Sequence, residues 1–224
     1  MLNHKGLEIT YLEHDTFRIK YGELVVYTDP FQIMPQTKKA DLVTITHEHF
    51  DHMSDSDLKK VVKDGTIVVA SVNCREKLQS LTSVEKVFVK PGESVEKKGI
   101  VIKAVPAYNT NKFRAPGLPF HPKDYLGVGF IFDFGGTKVY HAGDTDHIEE
   151  MKGFKDVSLA LLPASGTYVM TAEEAAAAAG TLNPDMAIPM HWGAIVGTRQ
   201  DAERFKSLAS EKGIKAAVMD KSAT

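Results

Sequence analysis

Thr46-His47-Glu48-His49-Phe50-Asp51-His52, led in by the apolar run Leu42-Val43-Thr44-Ile45, sets three histidines and an aspartate side by side at the end of a strand-like segment. In an extended chain residues two apart face the same way, so His47 and His49 are placed to close on one cation. Asp51 and His52 follow where the chain turns and reach a second position beside the first. His47-Glu48 also begins like the helical zincin signature, but that signature needs a second histidine four residues on, and position 51 is Asp. The next helix is expected only after Ser54, with Asp57 as its capping partner. A solvated histidine-rich turn is the plain alternative, and the density of the spacing argues against it.

Working outward, Leu7 to Glu13, Thr16 to Tyr21 and Leu24 to Thr28 are short, β-rich and broken at Asp15 and Gly22, which predicts a three-stranded meander turning at Asp29-Pro30. After a helix over about Asp55 to Lys63, Ile67 to Ala70 reads as a buried strand and Asn73 to Leu81 as a helix capped by Asn73. Val84 to Val89 and Val95 to Val105 return to strands. Asn109 to Tyr125 is rich in proline, aperiodic and long for a compact domain, the kind of loop that more often serves function. Val128 to Phe134 and Thr137 to His141 form a hairpin about Gly135-Gly136, ending at His141-Ala142-Gly143-Asp144. A strand over Val157 to Leu162, a helix with the capping box Thr171/Glu174, a strand over Ala187 to Met190 ending at His191, a helix over Arg199 to Lys212 and a last strand over Ala216 to Met219 complete the chain. No linker or composition break divides it, so one αβ domain over residues 1–224 is expected.

The composition of the 224 residues, 43% hydrophobic and 25% charged, is that of a globular chain able to bury a sizeable core. A formal net charge of -2 offers no basic surface, so neither nucleic acid nor an anionic membrane is an expected partner. Cys74 is the only cysteine, which excludes an intramolecular disulfide, and it reads as inert packing. With no signal-like start and no apolar run able to span a bilayer, a soluble cytoplasmic protein is expected.

Three segments thus end an apolar strand on a ligand type: His47 onward, Asp144 after Gly143, and His191 after Pro189-Met190. Strand ends are where an αβ domain places its chemistry. In this order, THEHFDH, HAGDTD and IPMHWG resemble the metallo-β-lactamase-fold hydrolase superfamily. YLEHDTF, Asp29-Pro30 and the TAEEA helix start are similar to a branch of metal-dependent hydrolases near the ascorbate-phosphate lactonases and the N-acylphosphatidylethanolamine phospholipase D type enzymes. The resemblance covers essentially the whole chain. It implies a four-layer αββα sandwich with one or two divalent ions at one edge, zinc first, with Mn2+ or Fe2+ as alternatives. By motif, His47 and His49 belong to a first metal site, Asp51, His52 and His191 to a second, and Asp144 bridges them. The chain departs from the pattern where relatives resemble Ala-x-His-Ser: here Ala107-Tyr108-Asn109-Thr110 puts Asn109 in place of the third histidine. His121 and His141 are the candidates to replace it, His141 being expected rather as a buried neighbour, and His14 is a further pocket candidate.

The chemistry implied is metal-assisted hydrolysis of an ester-like bond, phosphoester or lactone, in a small anionic substrate. Asp51 would orient the attacking water, Asp144 hold it, and Asn109 hydrogen-bond the developing oxyanion. Lys112, Arg114 and Lys123 against Asp124 make the long loop cationic, which suits a phosphate or carboxylate, although solvated surface lysines explain them equally. Two other classes compete: a non-catalytic metal- or partner-binding module, and a nucleic-acid-processing hydrolase. A di-iron oxidoreductase relative would carry HxExDH at the first motif, whereas position 49 is His.

Overall fold

The computed structural model describes residues 1–35 and 37–222. The first half of the chain lays down one sheet in sequence order. β1 (Leu2–His4), β2 (Leu7–Glu13), β3 (Thr16–Tyr21) and β4 (Leu24–Thr28) are an antiparallel meander. β5 (Leu42–Ile45), β6 (Ile67–Ser71) and β7 (Glu85–Val89) then add in parallel, with α1 (Asp55–Val61) in the β5–β6 crossover, giving seven strands. Alternation decides what each face covers. Val26, Leu42, Ile67 and Val69 face the main core, while Val25, Tyr27, Val43, Ile45, Val68 and Ala70 pack outward with Leu58 and Val61 of α1.

The second half builds the facing sheet from β8 (Ser94–Lys97), β9 (Ile100–Pro106), β12 (Val128–Phe134), β13 (Thr137–His141), β14 (Val157–Pro163) and β15 (Met186–Met190), with a separate two-stranded hairpin of β10 (Phe113–Ala115) and β11 (Leu118–Pro119). Its order is β15-β14-β13-β12-β9-β8, antiparallel up to β13 and parallel from there. α2 (Ala172–Leu182) lies on β14 and α3 (Arg199–Glu211) on β15, so the layers run helix, sheet, sheet, helix. The alanines of α2 allow close approach, and five of them are buried. Tyr21 and Phe134 meet across the two sheets with ring centroids 5.6 Å apart.

Several local expectations hold: the meander, the Gly135-Gly136 hairpin, and the Thr171/Glu174 capping box, both halves of which form. Others do not. Asn73 to Leu81 is two separate 3-10 turns, and Ser71, not Asn73, caps the first, because the Asn73 amide donates instead to the Tyr125 carbonyl. Cys74, Leu78 and Leu81 are buried there, but each turn is only three or four residues long and the chain leaves the second at Leu81, with φ -85 and ψ 82. α1 stops at Val61, since Val62 is already extended. Asp57 supplies its backbone N–H to Ser54, but its carboxylate receives the N–H groups of Gln32 and Ile33 rather than closing a capping box. The last strand is reduced to a single bridge, Ala187 to Ala216. Among the described residues no helix is long and apolar enough to cross a membrane.

Candidate metal centre

The parallel strands β4, β5, β13, β14 and β15 all end at one edge of the sandwich, and the β2–β3 turn arrives there too. Asp29, just past β4, organises the approach. Its carboxylate accepts from the Thr46 backbone N–H at 2.8 Å, from Thr46 Oγ1 at 2.6 Å and from His52 Nδ1 at 2.8 Å. Thr46 Oγ1 lies 3.0 Å from His47 Nδ1, so one buried carboxylate fixes two histidines, directly and through a hydroxyl. From the other sheet, Gly143 has φ +63, and a Cβ there would sit 2.8 Å from the Val128 carbonyl oxygen. Only glycine lets Asp144 come this near β5.

Two groups of donor atoms share Asp144. In the first, His47 Nε2 and His49 Nδ1 are 3.0 Å apart, His49 Nδ1 and His121 Nε2 3.2 Å, and His121 Nε2 and Asp144 Oδ2 3.3 Å. In the second, Asp144 Oδ1 is 3.2 Å from His52 Nε2 and 3.3 Å from His191 Nε2, and Asp51 Oδ2 is 3.8 Å from His52 Nε2. The second group is held from behind: Ser165 Oγ lies 3.0 Å from His191 Nδ1 and Asp29 holds His52. His52 Nε2, His191 Nε2 and Asp144 Oδ1 are buried without any hydrogen-bond partner. Native interiors rarely leave such atoms unpaired, and donors converging at these spacings with their other nitrogens engaged suit a divalent cation.

The electrostatics split along the same line. Burial lowers the pKa values of His47, His49 and His121, the last to about 4, which leaves their rings neutral with free lone pairs. Burial opposes charge on His191 as well, but Asp144 and Asp15 beside it outweigh this and raise its pKa to about 9. Likewise His52 is held well above its ordinary value by Asp144 and Asp29 despite burial. Asp51 is driven down to about 2, its neighbouring histidines offsetting its burial, so it is a carboxylate at neutral pH.

All the ligand types singled out in the sequence, His47, His49, Asp51, His52, Asp144 and His191, meet at this edge, joined by His121 and His14. Asn109 is a correction. Its Oδ1 accepts from the His121 backbone N–H at 2.8 Å and from His121 Nδ1 at 2.9 Å, while its Nδ2 donates to Asp146 and to the Tyr168 carbonyl. The amide is fully used on the side away from the pocket, so Asn109 offers nothing to an oxyanion and instead aims the histidine that stands in for the missing one. His141 lies outside both groups, its Nε2 2.8 Å from the Asp15 carbonyl oxygen. The supporting roles of Asp29, Asp146 and Ser165 escaped sequence reading. Asp29-Pro30 looked like an ordinary turn, and nothing marked Ser165.

A cavity of about 380 Å³ opens over the centre, with His49, Asp51, His121 and Asp144 on its floor and Phe50, Phe120, Tyr168, Ile195 and Arg114 around it. Of the three loop cations, Lys112 is paired with Glu174 at 2.6 Å and Lys123 with Glu150 at 2.7 Å. Arg114 has no carboxylate partner among the described residues; it donates to the Phe120 carbonyl.

Two facing sheets between helical layers, with buried histidines and carboxylates gathered at one edge, define the metallo-β-lactamase architecture. Residues 8–191 match the family described as beta-lactamase superfamily domain. A UPF0173 metal-dependent hydrolase of Thermoplasma acidophilum is 33% identical over 222 residues, 93% of each chain. A crystal structure from Parabacteroides distasonis, described as a metal-dependent hydrolase, is 32% identical and superposes with a TM-score of 0.84 over 96% of this chain and 94% of that one. Igni18, a metallo hydrolase from Ignicoccus hospitalis, is 25% identical with a TM-score of 0.76, covering 96% and 95%. The chain belongs to the UPF0173 metal-dependent hydrolases of the metallo-β-lactamase superfamily.

Proposed function

We propose that this protein hydrolyses an ester-like bond, a phosphoester or lactone, of a small anionic substrate with two divalent ions. His47, His49, His121 and Asp144 would hold the first; Asp51, His52, His191 and Asp144 the second. The observation that carries the reading is the convergence of two groups of mostly buried donors on the two oxygens of Asp144 beneath an open cavity. Three imidazoles and one carboxylate oxygen at the first position are a donor set that zinc accepts. When bound, such ions supply an activated water and polarise the scissile oxygen.

The chain's own residues do the rest. Asp51, ionised and on the cavity floor, orients the attacking water and accepts its hydrogen bond. Phe50, Phe120, Tyr168 and Ile195 seat the apolar body of the substrate and keep bulk water away. Arg114, the loop cation left without a carboxylate, takes the substrate's anionic group. With Lys112 and Lys123 neutralised by glutamates, a single anionic group is favoured over the continuous charge of a nucleic acid.

The test is elemental mass spectrometry of protein purified without chelators, together with turnover of aryl phosphodiesters and lactones by wild type and Asp51→Asn. Two equivalents of metal and a loss of turnover of roughly a thousandfold in the variant are expected. Absence of bound metal, or a variant as active as wild type, would sink the reading; metal without turnover in either protein would leave a binding module.

A further inference from the structure

We propose that His14 is a fifth protein donor to the second position, which makes that position one for a six-coordinate ion and different in kind from the first. The inference rests on the two-ion reading above. His14 sits in the β2–β3 turn at φ +49, a left-handed conformation uncommon for a residue with a side chain. His191 faces it at φ +60, and the two are locked together, the His191 N–H donating to the His14 carbonyl at 3.0 Å with ring centroids 4.0 Å apart. Two strained backbones thus turn their imidazoles toward one point.

The His14 ring is completely buried, yet neither of its nitrogens has a hydrogen-bond partner. Its Nε2 lies 3.3 Å from Asp51 Oδ2, near but not aligned as a hydrogen bond. Together with the distances already given, this makes a chain of donors, His14 to Asp51 at 3.3 Å, Asp51 to His52 at 3.8 Å, His52 to Asp144 at 3.2 Å and Asp144 to His191 at 3.3 Å, whose ends, His14 and His191, have ligand atoms within 4.8 Å of each other. Ligands bonded at about 2.1 Å to one ion are separated by about 3.0 Å in an octahedron and about 3.4 Å in a tetrahedron; three of the four spacings are of that size, and Asp51 to His52 at 3.8 Å is wider. Asp15, the next residue, has a carboxylate oxygen within 4.8 Å of a ligand atom of His14, of His52 and of His191, and it approaches His52 from the Nδ1 side, at 3.5 Å.

Three imidazoles and two carboxylates exceed the four ligands of a closed zinc site. Five protein donors with one position open toward the cavity suit an ion that prefers six, such as Mn2+, Fe2+ or Co2+. A purely supporting role, in which His14 only braces Asp51, predicts otherwise and is distinguishable.

The experiment strips the protein of metal, titrates it with Co2+, and follows stoichiometry by elemental analysis and coordination number by electronic absorption, for wild type, His14→Asn and His14→Ala. Asparagine tolerates the left-handed backbone and can still donate to Asp51, so it keeps the bracing function without the imidazole ligand. Wild type is expected to bind two Co2+, one with the intense bands of four-coordination and one with the weak bands of six. Both variants should keep the intense bands and bind the second ion at least about tenfold more weakly. Two intense four-coordinate spectra in wild type, or a His14→Asn protein that binds the second ion with unchanged affinity and spectrum, would overturn the inference while leaving two-ion binding intact. No bound Co2+ in wild type would overturn both. Thermal unfolding of the metal-free proteins identifies a variant that fails to fold, in which case the wild-type spectrum and the other variant decide.

Discussion

Because Asn109 Oδ1 accepts both the backbone N–H and Nδ1 of His121, a single amide fixes where that ring stands and which nitrogen faces the centre. Asn109→Ala should therefore weaken ion binding at the first position by about 10–100-fold and leave the second unchanged, as measured by competition with a chromophoric chelator. Proton bookkeeping separates the positions further. In the ion-free protein His52 and His191 have raised pKa values and are protonated at pH 7, while His47, His49 and His121 are neutral. Loading the second position must displace protons from both histidines, so its affinity rises with pH through 7 and up to at least the His191 value of about 9. Calorimetric titrations at pH 7 in two buffers of different ionisation heat should show about two protons released with the second ion and none with the first. Equal release at both would contradict this assignment. Which residues were ligand types was legible from THEHFDH, HAGDTD and IPMHWG. That His121 would cross 72 residues of chain to sit beside His49 was not, because a lone histidine in an aperiodic loop carries no period to locate it.

At the level of elements, the strand ends set the precision of the centre. Gly143 joins β13 to Asp144, and an added Cβ would strike the Val128 carbonyl at 2.8 Å and Thr46 at 3.1 Å while φ stays at +63. Gly143→Ala should cost roughly 2–3 kcal/mol in urea unfolding and, by displacing Asp144, abolish binding of both ions. A variant with native stability and full metal content would show that the edge is softer than this packing implies. Local chemistry made the early strands readable: Asp15 and Gly22 stand at the turns, and branched residues fill between them. It misled at Asn73 to Leu81, which forms two short 3-10 turns although Cys74, Leu78 and Leu81 are buried at helical spacing, and at Ala216 to Met219, where four apolar residues reach their neighbour β15 for one bridge only.

Across the whole molecule, ligands come from both sheets. The first supplies His14, His47, His49, Asp51 and His52, the second Asp144 and His191, with His121 from the connection between β9 and β12. Bound ions would then tie the two sheets at their open edge, while their removal leaves Asp15, Asp51 and Asp144 close together in a buried setting. Each ion present at a hundred times its dissociation constant adds about 2.7 kcal/mol, so chelation should lower the unfolding temperature by about 5–10 °C per ion. Calorimetric scans with and without chelator check this, and identical scans would mean that the centre does not bind ions in the folded state. The pairing of β13, β14 and β15 and the facing of the two sheets, on which this convergence depends, follow from long-range register that no local pattern encodes.

The stretch from Asn109 to Tyr125 carries His121, the amide that aims it, Arg114 and Phe120, and it is bounded on both sides by strands fixed in the sheet. Ion retention and substrate choice are therefore inherited as one cassette. A lineage that remodels the β10–β11 hairpin to admit a new substrate risks losing a metal in the same step, whereas one that keeps Asn109, His121 and their spacing is free to vary the hairpin tip. Divergence among relatives should accordingly concentrate in the residues between those two anchors.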